Sequence, residues 1–426
     1  DYLREHPGDH AKFVSAIDRT PVSAFPYGLV NARPTENLAI AFAFPPYVDT
    51  SAFVMAKRLR MHGRVVDVVS NAMDRARDVD ETAARIAGPF VARQSFLNTP
   101  SRFDDWATIE EFALAGQDVI RRWEVDQGAY ATIYSRAHFA ASHFLAALHK
   151  LARPSVTWTA EFSDPLSRDI HGRERGRPIA TGSLLDQLRT GLGRLGLSGP
   201  RSQNLFVWGE ELAYRLADEL VFTNDNQLNY MLRYCGDRGL AESARAKAVV
   251  RPQPSLPPEF YRMVDSGYPI PHDVVNIAYF GKIYATRGLD EVLAAVAGAD
   301  LKGRLILHTF TGSPREIAKR ASELGIQDSV RANRYKSYLE FLNLTTKFDY
   351  LLVNDAASHG RHESNPYLPS KWSDYRGGGR PVWGLIEPGS ALSRESLEYS
   401  SPLGDIAAAR DVLAHMVEAG RPSVGD

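Results

Sequence analysis

Asn365-Pro-Tyr-Leu-Pro-Ser-Lys-Trp-Ser-Asp-Tyr-Arg-Gly-Gly-Gly-Arg-Pro-Val382 is the stretch on which the reading of this chain turns. Pro369-Ser370 opens a helix, because the fixed φ of proline suits the first helical turn. Gly377 to Gly379 closes it, and Val382–Ile386 is the strand that follows. Lys371, Asp374 and Tyr375 fall at i, i+3 and i+4, so they share one face of the helix. A helix N-terminus with free N–H groups and a lysine in its first turn suits a phosphate. A carboxylate one turn further on can accept hydrogen bonds from ribose hydroxyls. The same residues also fit an ordinary helix before a strand, with Lys371 merely solvated.

A second phosphate-suited element lies upstream, in Tyr279-Phe-Gly-Lys-Ile-Tyr-Ala-Thr-Arg-Gly288. Strand Asn276–Phe280 ends at Gly281, whose missing side chain lets a phosphate approach the backbone. Arg287-Gly288 opens the next helix, and a guanidinium can take two phosphate oxygens in fork geometry. Taken alone, this is also an ordinary strand–turn–helix connection.

Together, and in this order, the two elements resemble the donor-site signature of the GT-B glycosyltransferases. The match is to the family 4 type, in its Pro-Ser-Lys-x-x-[Glu/Asp]-Tyr-x-x-x-Gly-x-Pro-Val form. The resemblance implies two Rossmann-like doubly wound α/β domains facing across a cleft. It implies a retaining, metal-independent transfer of a sugar from a nucleotide diphosphate donor, such as a UDP- or GDP-sugar, to a hydroxyl of a glycan, glycolipid or small glycoside. No cofactor is expected beyond that co-substrate. A nucleotide-sugar epimerase or hydrolase, or a non-catalytic binding subunit, are the alternatives on the same fold.

Carried onto this chain, the donor site comprises Gly281, Arg287, Arg331, Asn333, Ser370, Lys371, Asp374 and Tyr375. Arg287 and Lys371 would stabilise charge on the departing diphosphate. Val330-Arg-Ala-Asn-Arg-Tyr335 occupies the place of the family's base-contacting passage. The family's Glu-x7-Glu pattern is broken: counting back eight from Asp374 lands on Pro366, and Glu363 and Asn365 are only neighbours of that position.

In the first lobe, Pro45-Pro46-Tyr47 resembles the loop that flanks the family's acceptor cleft, so Pro46 and Tyr47 are acceptor-side candidates with Arg136. His138 follows the strand Ala131–Ser135 and matches loosely the family's functional histidine. His143 reads as a surface or packed residue of the next helix. Trp158-Thr-Ala-Glu-Phe-Ser-Asp-Pro165 resembles a variant of one family branch, and Asp164 just past that strand is a catalytic candidate with His138. Asp164 reads equally well as an Asp-Pro turn or cap.

The rest of the chain sets bounds. With 426 residues, two lobes of about 200 residues each are comfortable. A formal net charge of −1 gives no global field for nucleic acid. The single cysteine excludes an internal disulfide. No apolar run reaches membrane-spanning length, and no secretory signal is legible. The expectation is therefore a cytoplasmic protein, with peripheral contact at the inner membrane face as an option. The chain opens on Asp1 rather than methionine, and a preceding piece is expected.

The expected domains are an extension over 1–37, an acceptor domain over 38–262, a donor domain over 263–402 and a final helix over 403–426 that packs back on the first domain. Pro252, Pro254, Pro257 and Pro258 mark the linker. Residues 168–210, rich in Arg and Gly, have no assigned place. Gly191-Leu-Gly-Arg-Leu-Gly196 fits a dinucleotide motif but follows a helical pattern where a strand is required. Asp78-Val-Asp80 precedes a helix and reads as a cap.

Overall fold

Short apolar runs closed by glycine, proline or asparagine become the strands of two parallel sheets. The computed structural model describes residues 2–20, 25–283 and 288–422. The first sheet holds β1 (Asn37–Ile40), β2 (Val66–Asn71), β3 (Val91–Leu97), β4 (Thr132–Ala137), β5 (Thr157–Phe162), β6 (Glu219–Phe222) and β7 (Ala248–Val250). The second holds β8 (Val275–Phe280), β9 (Leu305–Thr311), β10 (Val330–Arg334), β11 (Tyr350–Asn354), β12 (Val382–Ile386) and β13 (Tyr399–Pro402). Their orders are β3-β2-β1-β4-β5-β6-β7 and β10-β9-β8-β11-β12-β13.

Each sheet is therefore doubly wound, with the direction of winding reversing beside its first strand. In such sheets ligands bind beyond the carboxyl ends of the strands, at that reversal. The loops after β1 and β4, and after β8 and β11, are the places to look.

The chain divides into two compact units, with the main boundary after Pro254. That is earlier than the expected boundary at 262, because the short turn Pro258–Tyr261 belongs to the second unit. There Tyr261 Oη donates to the Asp374 carbonyl (2.8 Å), and the Tyr261 carbonyl accepts from Asn343 Nδ2 (2.9 Å). The final helix, Ile406–Ala419, buries Ala409, Leu413 and Met416 in the core of this same unit. Its apolar stripe completes the layer beside helix Asp290–Gly298 and β13 of that unit. The N-terminal extension is built onto the first unit, where His10 Nε2 meets the Pro89 carbonyl (2.7 Å) and Asn31 Nδ2 donates to Gly88 and Val91.

Three strands had no expectation from sequence: β3, β7 and β13. All three are sheet edges. An edge strand is covered on fewer sides, so its residues need not form an apolar run; β13 reads Tyr-Ser-Ser-Pro and β3 is half-buried along its middle. Residues 168–210 resolve into a polar hairpin, helix Ser183–Arg194 and the start of helix Leu205–Leu216. Gly191 and Gly193 lie inside the first of these helices, which removes the dinucleotide reading. Asp80 caps Glu81–Ala83 by accepting from Thr82 N (3.0 Å). Among the described residues no helix is long and apolar enough to cross a membrane.

Candidate functional site

In the second unit, helix Lys371–Gly378 is pegged to the sheet by its own side chains. Tyr375 is fully buried, and its hydroxyl accepts the N–H of Phe280, the last residue of β8 (3.0 Å). Burial pushes that phenol well above its ordinary range. Asp374 is 4% exposed; its Oδ1 accepts from Tyr338 Oη (2.6 Å). Lys371 Nζ lies 4.3 Å from the centre of the Phe341 ring, a cation–π distance. Lys371 and Asp374 thus share a face, and that face meets Tyr338 and Phe341 of helix Tyr338–Thr345.

The glycine run makes this docking fit. A Cβ at Gly377 would collide with the Tyr261 hydroxyl, and one at Gly378 would lie 2.6 Å from Thr345 Oγ1. Only Gly379 has the left-handed backbone (φ 69°) of a helix terminator. Helices run back from the carboxyl edge of a parallel sheet. With the Tyr375 hydroxyl at the end of β8, the N-terminus at Ser370 and Lys371 lies on the carboxyl side of the sheet. Ser370 itself makes no side-chain cap.

The other donor-side candidates are placed as follows. Gly281 directly follows β8, and a Cβ there would lie 2.7 Å from the Tyr279 hydroxyl. Arg287 lies outside the described residues. Gly288, just beyond it, is tied to β11 through Asn354 Nδ2 (2.9 Å). Arg331 Nη1 donates to the Pro269 carbonyl (3.2 Å), and Asn333 Nδ2 to the Tyr268 hydroxyl (3.0 Å). Both side chains are thus engaged with the segment leading into β8. Glu363 is on an exposed stretch of the loop after β11, whereas Asn365 is buried and bonds Ala356 and Tyr367. That loop is fastened to the one after β12: Asp355 Oδ2 accepts from Glu387 N (2.9 Å) and Ser390 Oγ (2.6 Å), and Ser358 donates twice to Glu387.

In the first unit the polar groups gather at the reversal between β1 and β4. His138 directly follows β4, Asp164 follows β5, and His138 Nδ1 is 3.9 Å from Asp164 Oδ2. That is an ion-pair separation, longer than a hydrogen bond. Both are partly exposed, at 38% and 43%. Burial pushes the Asp164 carboxyl up, but its interactions with His138 outweigh this and hold it below its usual range.

Asp49, in the loop after β1, is a third member that sequence reasoning missed. It caps helix Thr50–His62 through Ser51 N (2.8 Å) and Ala52 N (3.3 Å) and accepts from Arg77 Nε (3.0 Å). Burial again opposes ionisation, while His138 and Arg77 pull the Asp49 carboxyl down. Its cap position behind Pro45-Pro46-Tyr47 was a signal available in the sequence.

The remaining first-unit candidates are structural in this arrangement. Tyr47 is 6% exposed, bonds Asp74 Oδ1 (3.1 Å) and pairs with Val79; the Pro46 carbonyl accepts from Asp80 N (2.8 Å). Arg136 is 2% exposed and pairs with the fully buried Glu161 (3.3 Å), while its Nη1 donates to Ser51 Oγ. Arg58 holds the same carboxylate (3.1 Å), and Tyr134 donates to it as well. Burial raises Glu161, yet the two guanidinium groups bring it below the usual carboxylate range. His143 is a packed histidine: Nδ1 meets Ser135 Oγ (2.9 Å), and burial drives its pKa down to about 3.

No protein-family model matches the chain, and no curated protein matches it. Solved structures do resemble it. The sucrose-phosphate synthase of Thermosynechococcus elongatus superposes with a TM-score of 0.58 at 14% identity, over 90% of each chain. Anabaena HepE in complex with UDP and glucose gives 0.56 at 11% identity, again over 90% of each. A putative UDP-N-acetylglucosamine 2-epimerase from Listeria monocytogenes gives 0.52 at 11% identity, over 91% of this chain and 88% of that one. At such identities the likeness is one of fold: two Rossmann-like, doubly wound parallel sheets, consistent with the GT-B fold.

Proposed function

We propose that this protein is a GT-B glycosyltransferase that moves a sugar from a nucleoside diphosphate donor to an acceptor hydroxyl, with retained anomeric configuration and without a metal. The observation that carries the reading is the pegged helix Lys371–Gly378. Its Tyr375 anchor at the end of β8 fixes the helix with its Ser370–Lys371 end on the carboxyl side of the sheet. The first-turn N–H groups, the positive end of the helix dipole and the Lys371 ammonium would then act on one diphosphate.

When the glycosidic bond to the diphosphate breaks, negative charge builds on the leaving oxygen. Fixed cations there lower the barrier more than they tighten ground-state binding. Lys371 takes this role, with Arg287 as its partner and Gly281 beside the backbone path of the phosphates. Asp374 meets the ribose while Tyr338 holds its other edge. The His138–Asp164 pair positions the acceptor hydroxyl. The HepE complex with UDP and glucose, on the same fold, agrees with a nucleotide-sugar ligand. The Listeria epimerase keeps one rival in view: donor turnover without any acceptor would replace transfer by epimerisation or hydrolysis.

The test is a thermal-shift screen with UDP, GDP, ADP and dTDP, each with and without EDTA. A nucleotide at 100 times its dissociation constant adds ~2.7 kcal/mol, or several degrees at about 2–4 °C per kcal/mol. One base should shift the melting temperature equally in both conditions. A shift that requires a divalent metal, or no shift at all, overturns the reading.

A further inference from the structure

The Arg-rich hairpin over residues 168–177 lies against the His138 site. Glu210 fixes its base, accepting from Leu166 N, Ser167 N and Ser167 Oγ, each at 2.9 Å. Asp169 Oδ1 closes its tip by accepting from His171 N (2.8 Å) and Arg173 N (2.9 Å). The hairpin carries four arginines, and three of them face a carboxylate. Arg168 is 3.8 Å from Glu174, Arg173 is 3.1 Å from Asp169, and Arg177 is 2.5 Å from Asp104.

Arg175 has no such partner among the described residues. Its Nε donates to the Arg168 carbonyl (3.0 Å), and its guanidinium lies over Phe103 (5.1 Å) and Phe206 (5.8 Å). The ring of Phe103 is in turn 5.5 Å from the ring of His138. Stacking uses the face of a guanidinium and leaves its edge to donate, so the Nη groups keep the fork that matches a carboxylate or phosphate. A stacked arginine with only a packing role needs no free fork, and its three neighbours are all charge-paired.

We propose that Arg175 receives an anionic oxygen group, phosphate or carboxylate, carried by the acceptor. The protein then glycosylates an acidic sugar or a phosphate ester in preference to an uncharged glycan. This rests on the placement of the acceptor beside His138 in the proposed function.

Calorimetric titration of the whole chain tests it with three probes: methyl glucuronide as a soluble carboxylate, octyl phosphate as a chain-borne phosphate and octyl glucoside as the uncharged control. At least one anion should bind the wild type about tenfold more tightly than octyl glucoside, as loss of a charge-assisted bond implies. R175Q should lose about that factor, R175K should recover part of it, and K371A should bind the anion as the wild type does. The anion that binds identifies a soluble or a lipid-borne source. Equal affinities in wild type and R175Q, no binding of either anion, or a loss confined to K371A would overturn the proposal. If R175Q fails to fold, R175K decides alone: wild-type affinity there removes the fork from the argument. Nucleotide-induced melting shifts read on the same samples keep this outcome separate from that of the transfer reading.

Discussion

Two sheets with the same winding carry polar residues at the same topological place, yet they use them differently. In the second unit the signature side chains turn inward. Tyr375 holds β8 and Asp374 holds Tyr338, while the half-buried Lys371 lies over Phe341 in the first turn, so what the helix presents outward is its N-terminus with that ammonium beside it. In the first unit the side chains are themselves presented: His138 and Asp164 stay partly exposed and face one another. One site is built from backbone ends held by side chains, the other from side chains held by loops. A backbone site suits a ligand of fixed charge such as a diphosphate; a side-chain pair suits proton or hydroxyl chemistry.

The widest gap between the two should open on Lys371→Ala and Arg287→Ala. If these cations stabilise the leaving diphosphate, kcat should fall by ~10²–10³, as for loss of an oxyanion donor. Steady-state kinetics showing a raised KM with intact kcat would mean uniform binding instead. His138→Ala and Asp164→Ala should lower transfer by about a hundredfold while leaving nucleoside diphosphate affinity unchanged in calorimetry. A large affinity loss in either would erase the distinction between the two sites.

Glu210 sharpens the comparison from the side of the loops. Burial drives its carboxyl up to about 7, against the hydrogen bonds from Leu166 and Ser167. The folded protein therefore binds a proton that the unfolded chain has released. The stability that Glu210 contributes is fully present below the unfolded value near 4.5, is lost as the pH rises towards 7, and changes no further above it. Glu210→Gln keeps an acceptor for the two N–H groups and can donate to Ser167 Oγ. It should abolish this slope, leaving the variant about 2–3 kcal/mol less pH-sensitive in urea melts between pH 4.5 and 8. An unchanged slope would mean that another group titrates there.

The smallest effect separates contact from support. Asp374→Ala should weaken nucleoside diphosphate binding about tenfold, the worth of one charged hydrogen bond. Tyr338→Phe removes the tether to Asp374 Oδ1 while leaving the ring in place. Wild-type affinity in Tyr338→Phe leaves the ribose role with Asp374; an equal loss in both makes Asp374 a brace for the helix.

This contrast also explains what could be read from sequence. The pegged helix needs proline, lysine, aspartate, tyrosine and three glycines within one short run, so its constraints are contiguous and legible. The first-unit site draws Asp49, Arg77, Phe103, His138, Asp164 and Arg175 from separate loops, and no spacing rule links them. Arg136 was expected at the acceptor surface because it ends a strand. The buried Glu161 that draws it inward is fixed only by the pairing of β4 with β5, where the two residues are partners. The missed strands β3, β7 and β13 failed for a related reason: an edge is defined by its neighbours rather than by its own residues.

The glycine run has a consequence for how this stretch can vary. Gly379 is held by a torsion angle that asparagine also adopts, so that position can drift. Gly377 and Gly378 are held by volumes on two other segments, at Tyr261 and Thr345. A larger residue there requires a smaller one at the matching site in the same lineage. Substitutions at 377 and 261, and at 378 and 345, should therefore travel in pairs, while 379 changes alone.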